Sequence, residues 1–107
     1  MSIRVERGVT NVVHLDGELC PDTAPWFEEH LAGAFDAGSP WVALDAGDLR
    51  LLSAAGISVI LDADRRATAL GGGVWMTRPS DAIRRALQAC DLDRLAVEPT
   101  RDPLPLS

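Results

Sequence analysis

The chain has 107 residues, 47% of them hydrophobic and 24% charged, with a formal net charge of −6 and a pI near 4.7. That length suits one domain, able to bury roughly two-thirds of its unfolded surface without staples. No run approaches the ~20 apolar residues of a membrane span, MSIRVERGV is no signal peptide, the apolar content excludes intrinsic disorder, and the acidic balance argues against phosphate-reading nucleic-acid binders.

Ile3–Arg7 and Asn11–Leu15 read as two strands around a turn at Gly8, the second stopping at Asp16-Gly17. Cys20-Pro21-Asp22-Thr23 then opens a helix. Asp22 or Thr23 can cap it, and Pro25 fits its first turn. Phe27, Leu31, Ala34 and Phe35 repeat at helical spacing, and Gly38 is placed as a left-handed stop. Trp41–Leu44 is short and apolar enough for a buried strand. Leu49–Leu52 leads into Ser53 and a second helix with Ile57, Ile60, Leu61, Ala67 and Leu70 on one face. Gly71-Gly72-Gly73 ends it. Val74–Thr77 is another strand, and Ser80 caps a third helix holding Ile83, Leu87 and Cys90. Leu95–Val97 is expected as a last short strand. Residues 98–107, with Pro99, Pro103 and Pro105, read as an extended or frayed tail after a domain of residues 1–97.

The order β-β-α-β-α-β-α-β predicts an α/β fold with a mixed, mostly parallel sheet of four or five strands. Helices are expected mainly on one face of it.

Every basic residue is an arginine, which fits coding bias better than function because the arginines are scattered. Residues 1–40 hold two arginines and seven acidic residues, a net −5, whereas residues 41–107 hold eight and nine, a net −1. An acidic surface of this kind can steer a basic partner. Cys20 and Cys90, with His14 and His30, match no zinc spacing, so no metal or cofactor is expected. Two thiols without an export signal suit a reducing, cytoplasmic setting, as buried free thiols. A Cys20–Cys90 bridge stays open. No Gly-x-Ser-x-Gly elbow accompanies Ser53, so no enzyme is expected. The glycine run lacks the Lys-Ser/Thr of a phosphate loop and reads as a turn. Trp26, Trp41 and Trp75 read as packing residues.

One segment carries more. Small residues at 53–56 open the second helix tightly, leaving free N–H groups that suit an anion or a partner's acidic group. Gly56 in the first turn costs about 1 kcal/mol against alanine, which suggests that something approaches the backbone there.

Ser53-Ala54-Ala55-Gly56-Ile57, Gly17-Glu18-Leu19-Cys20 and the series Gly71–Thr77, Pro79–Leu87, Leu92–Leu95 together resemble the STAS domain family. That family includes bacterial anti-sigma factor antagonists and sulfate-transporter tails. The resemblance spans roughly residues 10–97. In the family the first motif reads Asp-Ser-Ser/Thr-Gly-Leu and the second Gly-Glu-Leu-Asp. Ser53 stands for the first motif's aspartate, Ala54 for its phosphorylated serine, and Cys20 for the aspartate that ends the second. Ala54 has no hydroxyl, so the usual phospho-switch cannot operate there. Ser53 is the alternative phosphosite, while Ser58 reads as a surface or packing hydroxyl.

The resemblance implies a non-catalytic, cytoplasmic, bacterial protein-binding domain that regulates transcription. Its docking surface is expected at Cys20, Asp22, Ser53, Ala54, Ala55, Gly56, Ser58 and Asp62, with Arg65 beyond. The implied partner is an anti-sigma factor, of the kinase-like ATPase kind in some members, or alternatively the ATPase of a lipid-transporting ABC system. Direct nucleic-acid contact and membrane insertion are not expected. The oligomeric state is left between a monomer and a weak homodimer.

Overall fold

The computed structural model describes residues 1–36 and 39–99. Strands β1 (Ser2–Glu6) and β2 (Asn11–Leu19) form an antiparallel hairpin. Helix α1 (Ala24–Asp36), strand β3 (Trp41–Leu52), helix α2 (Ala54–Ala69), strand β4 (Gly73–Thr77) and helix α3 (Asp81–Ala89) follow, and a 3-10 turn, Asp93–Ala96, comes after them. The sheet has four strands in the order β1-β2-β3-β4, with β2, β3 and β4 parallel. Both crossovers therefore step the same way, and right-handed connections put α1 and α2 on one face. There the two helices pack side by side.

Alternation decides which side chains meet them. The row Val5–Val13–Leu44–Met76 crosses all four strands towards the helices. Phe27 and Leu31 of α1, Ile60 of α2 and Ile83 and Leu87 of α3 close over it, each no more than 2% exposed. Asn11 is the buried polar residue at the rim. Its amide donates to Ala34 O at 3.0 Å and Ser39 O at 3.3 Å, and its Oδ1 accepts from Gly8 N, fixing the end of α1 to the start of β2.

The opposite face carries a second row, Arg4–His14–Asp45–Thr77. His14 Nδ1 lies 2.7 Å from Asp45 Oδ2, and Nε2 lies 3.0 Å from Glu6 Oε1. Arg78, at φ 54°, forks onto Asp45 through Nε and Nη2 at 2.8–3.0 Å. Gly47 N donates to the same carboxylate at 3.0 Å. Burial opposes ionisation of Asp45, but the Gly47 amide, His14 and Arg78 outweigh it and hold the carboxyl below its usual value. A carboxyl depressed in the folded state stabilises above its unfolded pKa and loses that contribution as pH falls through the folded one. Asp45→Asn is therefore expected to lower the urea midpoint at neutral pH and to flatten its decline below about pH 4. Parallel acid limbs for both proteins would refute this.

Several expectations need correction. Strand β2 runs past Asp16-Gly17 to Leu19, with Gly17 at φ 121° and two register shifts against β3. Segments 41–44 and 49–52 are one strand, continuous through Asp45–Asp48. The expected strand at Leu95–Val97 is instead the 3-10 turn Asp93–Ala96, entered through Asp91 at φ 56° and Leu92 N→Leu87 O at 2.8 Å. Leu95, 1% exposed, plugs the core from that turn, which packs against β4 and α3. The thiols are free, as expected, but not buried: Cys20 is half-exposed and Cys90, just beyond α3, is exposed. Leu70 ends α2 in solvent, 58% exposed. Trp75 is buried and meets the half-buried Trp41 edge-on, but Trp26 is 38% exposed. Gly38 and the tail beyond Pro99 lie outside the described residues.

Candidate partner-docking surface

The β2–α1 loop and the β3–α2 junction are held together by backbone. Ser53 N donates to Leu19 O at 2.8 Å, immediately after the register pairs Glu18–Leu51 and Leu19–Leu52. Gly56 completes the contact. A Cβ there would stand 2.9 Å from Leu19 Cβ and 3.1 Å from Leu52 Cδ1. What approaches the backbone at this glycine is thus the chain's own core, and the small residue is structural.

Ser53 is the N-cap of α2, its Oγ accepting from Gly56 N at 3.4 Å. Ser80 does the same for α3, as expected, accepting from Ile83 N at 3.3 Å. At α1 the expected side-chain cap is replaced. Thr23 O accepts the helical bond from Phe27 N, but its hydroxyl serves the loop, donating towards Glu18 O at 2.8 Å and accepting from Cys20 N at 3.0 Å. Hydrogen bonds from the Thr23 hydroxyl and from the Thr23 and Asp22 amides pull the Cys20 thiol below its usual pKa, against weaker opposition from desolvation and the Asp22 charge.

The exposed residues of α2 then fall in one stripe. Ala54, Ser58 and Asp62 lie at i, i+4 and i+8, with Arg65 paired to Asp62 at its end. Ala55 is half-buried, and Gly56 is buried beneath the stripe. The structure thus joins Cys20, Asp22, Ser53, Ala54, Ser58 and Asp62 to the surface of one region, with Ala55 and Gly56 as its footing. It adds one residue. Leu51, 45% exposed, stands beside Glu18 on the face opposite the buried Leu52. Strand alternation through Arg50-Leu51-Leu52 is the signal that marks it. Thr23, expected as a cap, instead holds the loop in shape through its hydroxyl.

His14 lies elsewhere, in the clasp on the sheet's other face. His30 takes up Trp26, Nδ1 lying 2.9 Å from Trp26 O and the rings meeting edge-on at 4.7 Å. Neither histidine hydrogen-bonds to Ser53. No group of His, Cys, Asp and Glu suited to a metal ion occurs among the described residues. No described helix is long and apolar enough to cross a membrane.

Comparison with known proteins agrees with this architecture. The family model described as "Mlab, STAS domain" matches residues 4–98. Among solved structures, the anti-sigma factor antagonist SpoIIAA in its unphosphorylated form is similar at 19% identity and a TM-score of 0.80, over 94% of this chain and 90% of that one. A putative anti-sigma factor antagonist from Thermotoga maritima is similar at 18% identity and a TM-score of 0.80, over 90% and 83%. An anti-sigma factor antagonist from Mycobacterium paratuberculosis is similar at 22% and 0.76, over 94% and 86%. Comparison with curated protein sequences finds no significant match. The sheet order, the helices on one face and the family match over nearly the whole length lead to one assignment: the chain belongs to the STAS domain family.

Proposed function

We propose that the chain is a non-catalytic antagonist that binds an anti-sigma factor, without the phospho-switch at the usual position. The carrying observation is the exposed Ala54 at the first position of α2, where the family resemblance puts the phosphorylated serine. A phosphate would add about −1.5 to −2 charge at such a helix start. Alanine offers no oxygen to carry it, so the partner-binding form is permanent. The neighbouring Ser53 hydroxyl is engaged as the cap.

Affinity capture of the tagged chain from its own cells is expected to recover an anti-sigma factor, identified by mass spectrometry, without the sigma factor that it releases. Incubation of the captured complex with ATP is expected to leave residues 53–58 unmodified. Phosphate on Ser53 or Ser58, found by phosphopeptide mapping, would overturn the permanent-form reading. The family match under the Mlab description supports a second reading, in which the same surface docks the ATPase of a lipid-transporting ABC system. Recovery of a transporter ATPase and its permease in the same capture would replace the first reading with the second.

A further inference from the structure

Between α1 and α2 runs a groove of about 310 Å³, bordering the docking stripe through Asp62. Its floor is apolar: Leu31 and Phe35 from α1, Val59 and Ala63 from α2, each 2–8% exposed. Its two walls each carry an exposed carboxylate, Glu28 on α1 and Asp62 on α2. Glu28 has no ion-pair partner among the described residues, and Asp62 meets only the surface residue Arg65. The far end is closed by Arg66, which donates to Asp36 at 3.3 Å and lies 5.0 Å over the Phe35 ring.

An apolar floor between two carboxylates matches one type of side chain: a long aliphatic stem with a cationic head. Arginine fits better than lysine, because its guanidinium is more weakly hydrated and its fork can serve two carboxylates at once. We propose that this groove receives an arginine projecting from a basic surface of the protein that docks on α2. The stem lies along Leu31 and Val59, and the head sits between Glu28 and Asp62. The −5 balance of residues 1–40, which include all of α1, favours a positively charged partner.

The inference extends the docking surface proposed above, and its test needs no regulator, so the two can fail separately. The probe is N-acetyl-arginine amide, titrated into the full chain while backbone amide shifts are followed by NMR. The control is N-acetyl-citrulline amide, of nearly the same shape but neutral. Arginine amide is expected to move the amides of Leu31, Ala32, Val59 and Ala63 with saturation on the order of 10 mM. Citrulline amide should bind about fivefold more weakly, and Glu28→Gln with Asp62→Asn should remove the same factor from arginine amide. Both substitutions are at exposed sites, and a retained spectrum elsewhere confirms the fold. Equal response to the two amides, shifts outside the groove, or no shift at that concentration would each refute the proposal.

Discussion

Gly72→Ala is expected to lower stability by about 3 kcal/mol or more, a large share of the roughly 5–15 kcal/mol that holds a domain folded. A Cβ at this position would stand 2.0 Å from Pro40 O and 2.4 Å from Pro40 C. These are backbone atoms, so no rotamer change relieves the clash. The same Pro40 carbonyl accepts from Gly73 N at 3.1 Å and sets β4 against the start of β3. Gly72 N is itself spent on Ala67 O at 2.8 Å, so the turn cannot slide away. Gly71 supplies the control. It sits at φ 88° with open space where a Cβ would go, and Gly71→Ala should cost only the left-handed penalty of about 1–2 kcal/mol. Urea denaturation separates the two, and equal losses would refute the close-approach account.

Ala54→Glu is expected to abolish docking while leaving the fold intact. The new carboxylate lands on the first residue of α2, where the helix dipole favours it by about 0.3–1 kcal/mol. Thermal stability should therefore hold or rise slightly. At the partner, a longer side chain whose carboxylate is desolvated in the centre of the contact is expected to cost on the order of 3 kcal/mol, about a hundredfold in affinity. Ala54→Ser, which adds only a hydroxyl, should bind as the unaltered chain does. Titration calorimetry of the captured partner with the three proteins tests this. Undiminished binding by Ala54→Glu would move the docking surface elsewhere.

The elements that could be read from sequence share a strong local signal. Phe27, Leu31, Ala34 and Phe35 all lie buried on α1, and Ser80 caps α3 where a serine before Asp81 suggested it. What escaped depends on distant partners. Asp45-Ala46-Gly47-Asp48 carries a turn signal, yet it is strand because β2 runs on to Leu19 and pairs with β3 both before and after it, the segment absorbing a register shift. Leu95-Ala96-Val97 has strand composition, but Asp91 at φ 56° and the Leu92 N–Leu87 O bond turn the chain back, and Leu95 reaches the core from a 3-10 turn instead. At the candidate surface, Ala54, Ser58 and Asp62 follow from the family resemblance, and the helical period puts them on one exposed side of α2. Leu51 and Leu52 share one apolar run in the sequence, yet alternation sends the two to opposite faces. Gly56 signals a close approach to the backbone, and only the packing of Leu19 and Leu52 shows that the approaching group is the chain's own core.

The Ser53 N–Leu19 O bond joins main chain to main chain. The frame of the docking surface therefore does not depend on which side chains stand at positions 20 and 54. Such a frame lets recognition drift without loss of folding. An exchange of aspartate for cysteine at position 20, or of serine for alanine at position 54, leaves that main-chain bond in place.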